Sequence, residues 1–155
     1  MTLLEILKPE RLTAVVDIGA NPIDGDPPYK SMLQAGLCNV TGFEPQEAAL
    51  AELLRRKGPN ECYLPYAVGD GGVHTLNICH ASGMTSFFEP EPATADVFPL
   101  FKKAGEVIRQ VELETRCLNE IDEIEHLDFL KIDIQGGELA VFKSGGGGGS
   151  LPRPW

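Results

Sequence analysis

Four carboxylates stand at or near the ends of short apolar runs in this chain. Asp17 belongs to Thr13-Ala14-Val15-Val16-Asp17-Ile18, which Gly19 closes, and Glu44 follows Asn39-Val40-Thr41-Gly42-Phe43. Asp70 follows Ala67-Val68-Gly69, and Asp133 lies in Asp128-Phe129-Leu130-Lys131-Ile132-Asp133-Ile134. Runs of this kind, rich in β-branched residues, read as buried parallel strands. In open α/β sheets ligands bind beyond the carboxyl ends of such strands. Three of the carboxylates also have a plain structural reading: Asp17 as a loop cap, Glu44 as a helix N-cap, Asp70 as a turn former between glycines. Asp133 resists one, because an unpaired carboxylate in an apolar strand would be costly to bury. Lys131 lies two residues away and is expected to snorkel outward rather than pair with it.

The chemistry these positions imply is recognition of an adenosine-containing cofactor. Small residues after Asp17 let the backbone approach a ligand closely. The dinucleotide fingerprint GxGxxG is absent after Gly19, where Ala20, Asn21, Pro22, Ile23 and Asp24 follow. Asp17 would repel a pyrophosphate but suits a cofactor carrying an ammonium and a sulfonium. Glu44, at the end of the second strand, can accept hydrogen bonds from two ribose hydroxyls. Asp70 is placed to meet the exocyclic amine of an adenine.

The elements that must position these groups alternate along the chain. Strand 13–18 precedes a Gly/Pro/Asp-rich loop over 19–28 and a helix over 29–35, with Gly36 as its C-cap. Strand 39–43 precedes a helix over 46–57 that Gly58-Pro59 stops, and 62–68 reads as a third strand. This order predicts a parallel sheet with helices on its faces. Strands 73–79 and 107–117 follow, separated by a loop around Gly83 and a helix near 93–104. In Val111-Glu112-Leu113-Glu114-Thr115-Arg116-Cys117 apolar and charged residues alternate, the pattern of a strand with one wet face. A short helix over 118–124, a core strand over 128–134 and a helix over 137–143 complete the pattern.

From residue 145 the sequence is Gly145-Gly146-Gly147-Gly148-Gly149-Ser150-Leu151-Pro152-Arg153-Pro154-Trp155. That is linker composition, so 1–144 is read as the folded domain and 145–155 as a glycine-rich tail of non-native or frameshifted look.

Composition narrows the function classes. The 155 residues suffice for one core, and no apolar run reaches membrane-spanning length. The net charge of −10 opposes nucleic acid and anionic membranes as partners. Cys38, Cys62, Cys79 and Cys117 are scattered, which argues against a structural zinc, and no ligand cluster predicts a catalytic metal. With no signal-peptide pattern, the cytoplasm is the default compartment and the cysteines are expected as reduced, mostly buried thiols.

Together, Val15-Val16-Asp17-Ile18-Gly19-Ala20-Asn21, Gly42-Phe43-Glu44-Pro45, Ala67-Val68-Gly69-Asp70 and Phe129-Leu130-Lys131-Ile132-Asp133-Ile134-Gln135-Gly136-Gly137-Glu138 resemble the FkbM family of methyltransferases. They occur in that family's order over roughly residues 14–145, and Gly83-Met84-Thr85-Ser86 resembles its segment between the third and fourth sheet strands. The resemblance implies a class I, Rossmann-like α/β fold and S-adenosyl-L-methionine as methyl donor. It also implies O-methylation of a hydroxyl on a small acceptor, a sugar or natural product. Carried onto matching positions, Asp17, Gly19, Ala20 and Asn21 would surround the methionine part of the cofactor and Glu44 would hold the ribose. Val68 and Asp70 would flank the adenine. Asp133 would lie near the transferred methyl or the acceptor hydroxyl, where it is the candidate general base, with a contact to the cofactor as the alternative. His74, His80 and His126 are expected at or near the surface, and Tyr29 is a weaker candidate for substrate contact. The family's loop has a glycine where Ile23 stands, and class I sheets continue beyond the fourth core strand. The strand 128–134 is therefore expected as an exposed apolar edge, open to self-association. A binding-only remnant is the alternative, and a nicotinamide oxidoreductase is disfavoured by the missing glycines and by Asp17.

Overall fold

The computed structural model describes Ile6 and residues 10–21, 25–89 and 103–145. Among these, residues up to 65 together with 122–132 form one compact unit, and 66–121 with 133–145 form a second. Along the chain the elements are β1 (Thr13–Ile18), α1 (Lys30–Gln34), β2 (Cys38–Phe43), α2 (Glu47–Arg56), β3 (Glu61–Leu64), β4 (Ala67–Gly69) and β5 (Val73–Cys79). A 3₁₀ turn (Ser82–Met84), β6 (Val107–Cys117), a second 3₁₀ turn (Leu118–Glu120), β7 (Phe129–Ile132) and α3 (Glu138–Gly145) follow.

In the first unit β1, β2, β3 and β7 make a wholly parallel sheet in the order β3-β2-β1-β7. Strand order runs outward from β1 to β3 and then reverses to place β7 on the other side of β1. That reversal is the switch point of a doubly wound, Rossmann-like α/β sheet. Val15, Val16, Ile18, Val40 and Phe43 are buried within it, as expected of strands covered on both faces. The helix before β2 ends as Gly36 predicts. At φ +68° Gly36 takes the left-handed conformation, its N–H donates to Leu33 O at 3.0 Å, and the Leu37 N–H donates to Met32 O at 2.9 Å. These are the two bonds of a Schellman stop, satisfying carbonyls the helix leaves open. Tyr29, Cys38, Val15 and Val40 pack as one buried cluster, with Met32 and Leu33 against it.

The second unit holds a three-stranded sheet of order β4-β6-β5. β4 runs parallel to β6, and β5 runs antiparallel to it. The wet face predicted for β6 is present: Glu112, Glu114 and Arg116 are exposed, while Val111 and Leu113 are half-buried and Thr115 is buried. α3 packs on β4 and β6 through the buried Val141.

Three expectations are corrected. The predicted third strand over 62–68 is two strands in two sheets, because Pro65 has no N–H to give a ladder and interrupts the run. The core strand ends at Ile132, so Asp133 lies just beyond it and is exposed, with no burial cost to offset. The short helix predicted over 118–124 shrinks to the 3₁₀ turn Leu118–Glu120. The predicted helix near 93–104 falls outside the described residues except for its last two positions, and so does the tail beyond 145. β7 is an edge of its sheet among the described residues, with Phe129 partly exposed. All four cysteines are free thiols: Cys38 and Cys79 are buried, Cys117 half-buried and Cys62 exposed.

Candidate functional site

At the switch point of the first unit, the parallel register sets Asp17 of β1 beside Lys131 of β7. Asp17 is fully buried, and Lys131 Nζ donates to its Oδ1 at 2.9 Å and to Gly19 O at 3.0 Å. The Tyr29 hydroxyl donates to Asp17 Oδ2. Burial first, and then the neighbouring carboxylate, pushes the Tyr29 phenol far above its ordinary range. Lys131 thus turns inward, contrary to the expected snorkelling, because a buried carboxylate one strand away needs a cation more than the ammonium needs solvent. Tyr29 is buried as well, so it serves as a partner of Asp17 rather than an exposed contact for a substrate.

The loop after β1 is tied to the end of β2. Gly19, at φ +78°, and Ala20 both donate their N–H groups to Phe43 O at 3.1 Å. Glu44 follows directly and is 3% exposed. Its carboxylate accepts the Gln46 N–H at 2.8 Å and the backbone N–H of Asn21, while burial raises its pKa against the pull of those bonds. The first unit therefore gathers Asp17, Gly19, Ala20, Asn21 and Glu44, five of the expected cofactor residues, around the ends of β1 and β2. Gly42 permits this approach, since a Cβ there would lie 2.5 Å from the Tyr63 ring and 3.0 Å from the Ala20 Cβ.

The second unit contains a cavity of about 630 Å³. Val68 and Asp70, the two residues expected at an adenine, both line it, together with His74, Phe87, Phe88 and Leu139. Val68 is buried and Asp70 is exposed. The Asp70 Oδ1 accepts the Gly72 N–H at 3.0 Å and lies 2.6 Å from His74 Nε2. The bond to His74, and after it the Gly72 N–H, holds the Asp70 carboxyl below its ordinary range.

Asp133 is exposed and is not among the residues lining the cavity. Its Oδ1 lies 3.5 Å from Gln135 Nε2. The turn that follows is unusual: Gln135 has φ +54° and Gly136 φ +97°. A non-glycine residue held at positive φ stores strain, which here is opposed by a clamp. Ser86 Oγ donates to Gln135 O at 2.6 Å and accepts the Phe88 N–H at 3.0 Å, while the Phe88 ring fills the space a Gly136 Cβ would need.

Sequence reasoning named Lys131, His74 and Ser86 without their contacts to Asp17, Asp70 and Gln135, and it did not single out Phe87 or Phe88. Only Lys131 left a signal, being the cation of a core strand that could answer Asp17. Among the described residues no group of three or more His, Cys, Asp or Glu could hold a metal ion.

A family model for the methyltransferase FkbM domain matches residues 17–155. The chain belongs to the FkbM methyltransferase family. No curated protein and no solved structure matches it. The match spans both units, so every expected site residue lies within an FkbM domain. No described helix is long and apolar enough to cross a membrane.

Proposed function

We propose that this FkbM-family chain binds S-adenosyl-L-methionine and transfers its methyl group to a hydroxyl of a small acceptor, a sugar or natural product. The observation that carries the reading is the cavity of the second unit, with Val68, Phe87 and Phe88 in its wall beside Asp70. Apolar and aromatic side chains give a flat base its contacts, and a carboxylate accepts from its amine. These residues fit the adenine of that cofactor. In the first unit Glu44 would take the ribose hydroxyls, and a buried carboxylate of raised pKa gains from such donors. Asp17, Gly19, Ala20 and Asn21 would hold the methionine part. Because Lys131 already balances the Asp17 charge, Asp17 acts by orienting the Gly19–Asn21 loop rather than as a spare anion.

When bound, S-adenosylmethionine supplies a methyl on a sulfonium, open to in-line attack by an acceptor oxygen. The protein's main contribution is alignment, for which effective molarity lowers a barrier by about 7–11 kcal/mol. Asp133, exposed and ionisable, would take the acceptor's proton, adding a factor of about 10²–10⁴.

The test is calorimetric titration of the chain with S-adenosylhomocysteine, with NAD as control and Glu44→Ala alongside. Saturable binding, weakened tenfold or more in the variant and absent for NAD, is the expected outcome. A folded sample that binds no S-adenosylhomocysteine would sink the reading.

A further inference from the structure

Asp70 sits on a glycine-rich turn, Gly69-Asp70-Gly71-Gly72, with Gly71 at φ +84°. Its side chain is 48% exposed, and a carboxylate so placed ordinarily samples several rotamers. Here two donors meet at one oxygen, with a third group near it, the Thr115 hydroxyl, whose proton goes to Gly72 O at 2.9 Å. Oδ1 receives the Gly72 N–H at 3.0 Å, faces His74 Nε2 at 2.6 Å, and lies 3.4 Å from the Thr115 hydroxyl as a weak third contact. A carboxylate only accepts, so the proton between Asp70 and His74 belongs to Nε2. Both the Nε2–H tautomer and the imidazolium provide it, and the anchor does not depend on the charge of the ring.

His74 is itself held. It pairs with Leu113 in the antiparallel ladder, and its ring leans on Phe87 with centroids 5.4 Å apart at 48°. The contact is close-packed on the Gly72 side: a Cβ there would lie 3.2 Å from Asp70 Oδ1 and 3.3 Å from His74 Nε2. Asp70, His74 and Phe87 all line the same cavity.

We propose that His74 is a positioning residue for base recognition, fixing Asp70 through Oδ1 so that the other carboxylate oxygen is reserved for the exocyclic amine of an adenine. The inference rests on the reading that Asp70 meets the adenine of S-adenosylmethionine, and it adds a specificity determinant outside the family motifs. A base with a carbonyl in place of that amine presents an acceptor to a fixed acceptor, and the site rejects it. A freely rotating Asp70 would turn away and discriminate poorly.

The experiment compares the affinities of S-adenosylhomocysteine and S-inosylhomocysteine for the full chain by calorimetry. The wild type is expected to prefer the adenine ligand by about tenfold or more, the scale of one charge-assisted hydrogen bond. His74→Ala should lower that preference to about twofold, chiefly by weakening the adenine ligand. His74→Gln, whose amide nitrogen can donate to Oδ1, should restore most of it. A packing role for the ring would instead make both variants fail alike, and that result would overturn the proposal. An undiminished preference in His74→Ala would overturn it too, leaving the cofactor reading intact. No binding of S-adenosylhomocysteine by the wild type would remove both.

Discussion

In the first unit the two expected cofactor carboxylates are buried, and side chains or backbone amides occupy them: Asp17 by Lys131 and Tyr29, Glu44 by Gln46 and Asn21. In the second unit Asp70 and Asp133 are exposed, and beside their few side-chain contacts each sits next to backbone at positive φ, at Gly71 and at Gln135 and Gly136. A parallel sheet buried on both faces cannot tolerate a bare charge, so its acidic residue carries its own counterion. In the second unit the Gly72 N–H and His74 hold Asp70 at a cavity wall, while Asp133 lies outside that lining on a strained turn. The first arrangement is satisfied by the chain's own groups, and under the proposed function the second would present a carboxylate to a ligand.

Removing the counterion tests the difference most severely. Lys131→Met would strand the Asp17 charge in the core and is expected to cost about 3 kcal/mol in urea unfolding. A loss below about 1 kcal/mol would mean that Asp17 does not need the cation. In the second unit the matching change is to the backbone. Gly136→Ala would put a Cβ 2.6 Å from the Phe88 ring at φ +97°, for an expected cost of about 2 kcal/mol. The exposed Phe88 ring can swing aside, so the backbone strain dominates; an unaffected midpoint would show that the turn relaxes freely. Tyr29→Phe removes one of the donors to Asp17 and keeps the packing, for about 1 kcal/mol in the same measurement.

The sequence made the local features legible. Alternation marked β6, Gly36 marked the end of α1, and the apolar runs marked the strands that gather Asp17 and Glu44. Pro65 was visible too, and its missing N–H is what divides the predicted third strand. Most of the unread features depend on partners far along the chain, the contact of His74 with Asp70 four residues away being an exception. Lys131 meets Asp17 across 114 residues, Ser86 meets Gln135 across 49, and Thr115 approaches Asp70 across 45. Periodicity reports which face of an element is apolar and carries no record of which strand lies next to it. Asp133 shows the same limit: it looked buried within an apolar run, yet the strand stops one residue earlier.

Acid titration gives a smaller effect, confined to the first unit. Arg11 and the Ala14 N–H hold the Asp128 carboxyl at about 2, below its ordinary 3.8. The folded value is the depressed one, so the contribution is present above about pH 4 and is lost as pH falls toward 2. Both side chains are partly solvated, which keeps the gain small. In Arg11→Ala the stability curve should flatten over that window, and an unchanged acid limb would assign the loss to other groups.

Asp133→Asn should have the smallest effect on stability and isolates function from folding. The side chain is exposed and its one described contact, to Gln135, is 3.5 Å long, so the unfolding midpoint should move by less than about 0.5 kcal/mol. If Asp133 takes the acceptor's proton, methyl transfer to a hydroxylated acceptor should nonetheless fall by about 10²–10⁴, with S-adenosylhomocysteine affinity held within about twofold. Transfer at the wild-type rate would remove Asp133 from the chemistry. Loss of cofactor affinity together with rate would make it a binding group instead. Either result would still separate this exposed carboxylate from Asp17, whose replacement disturbs the fold before it can report on catalysis.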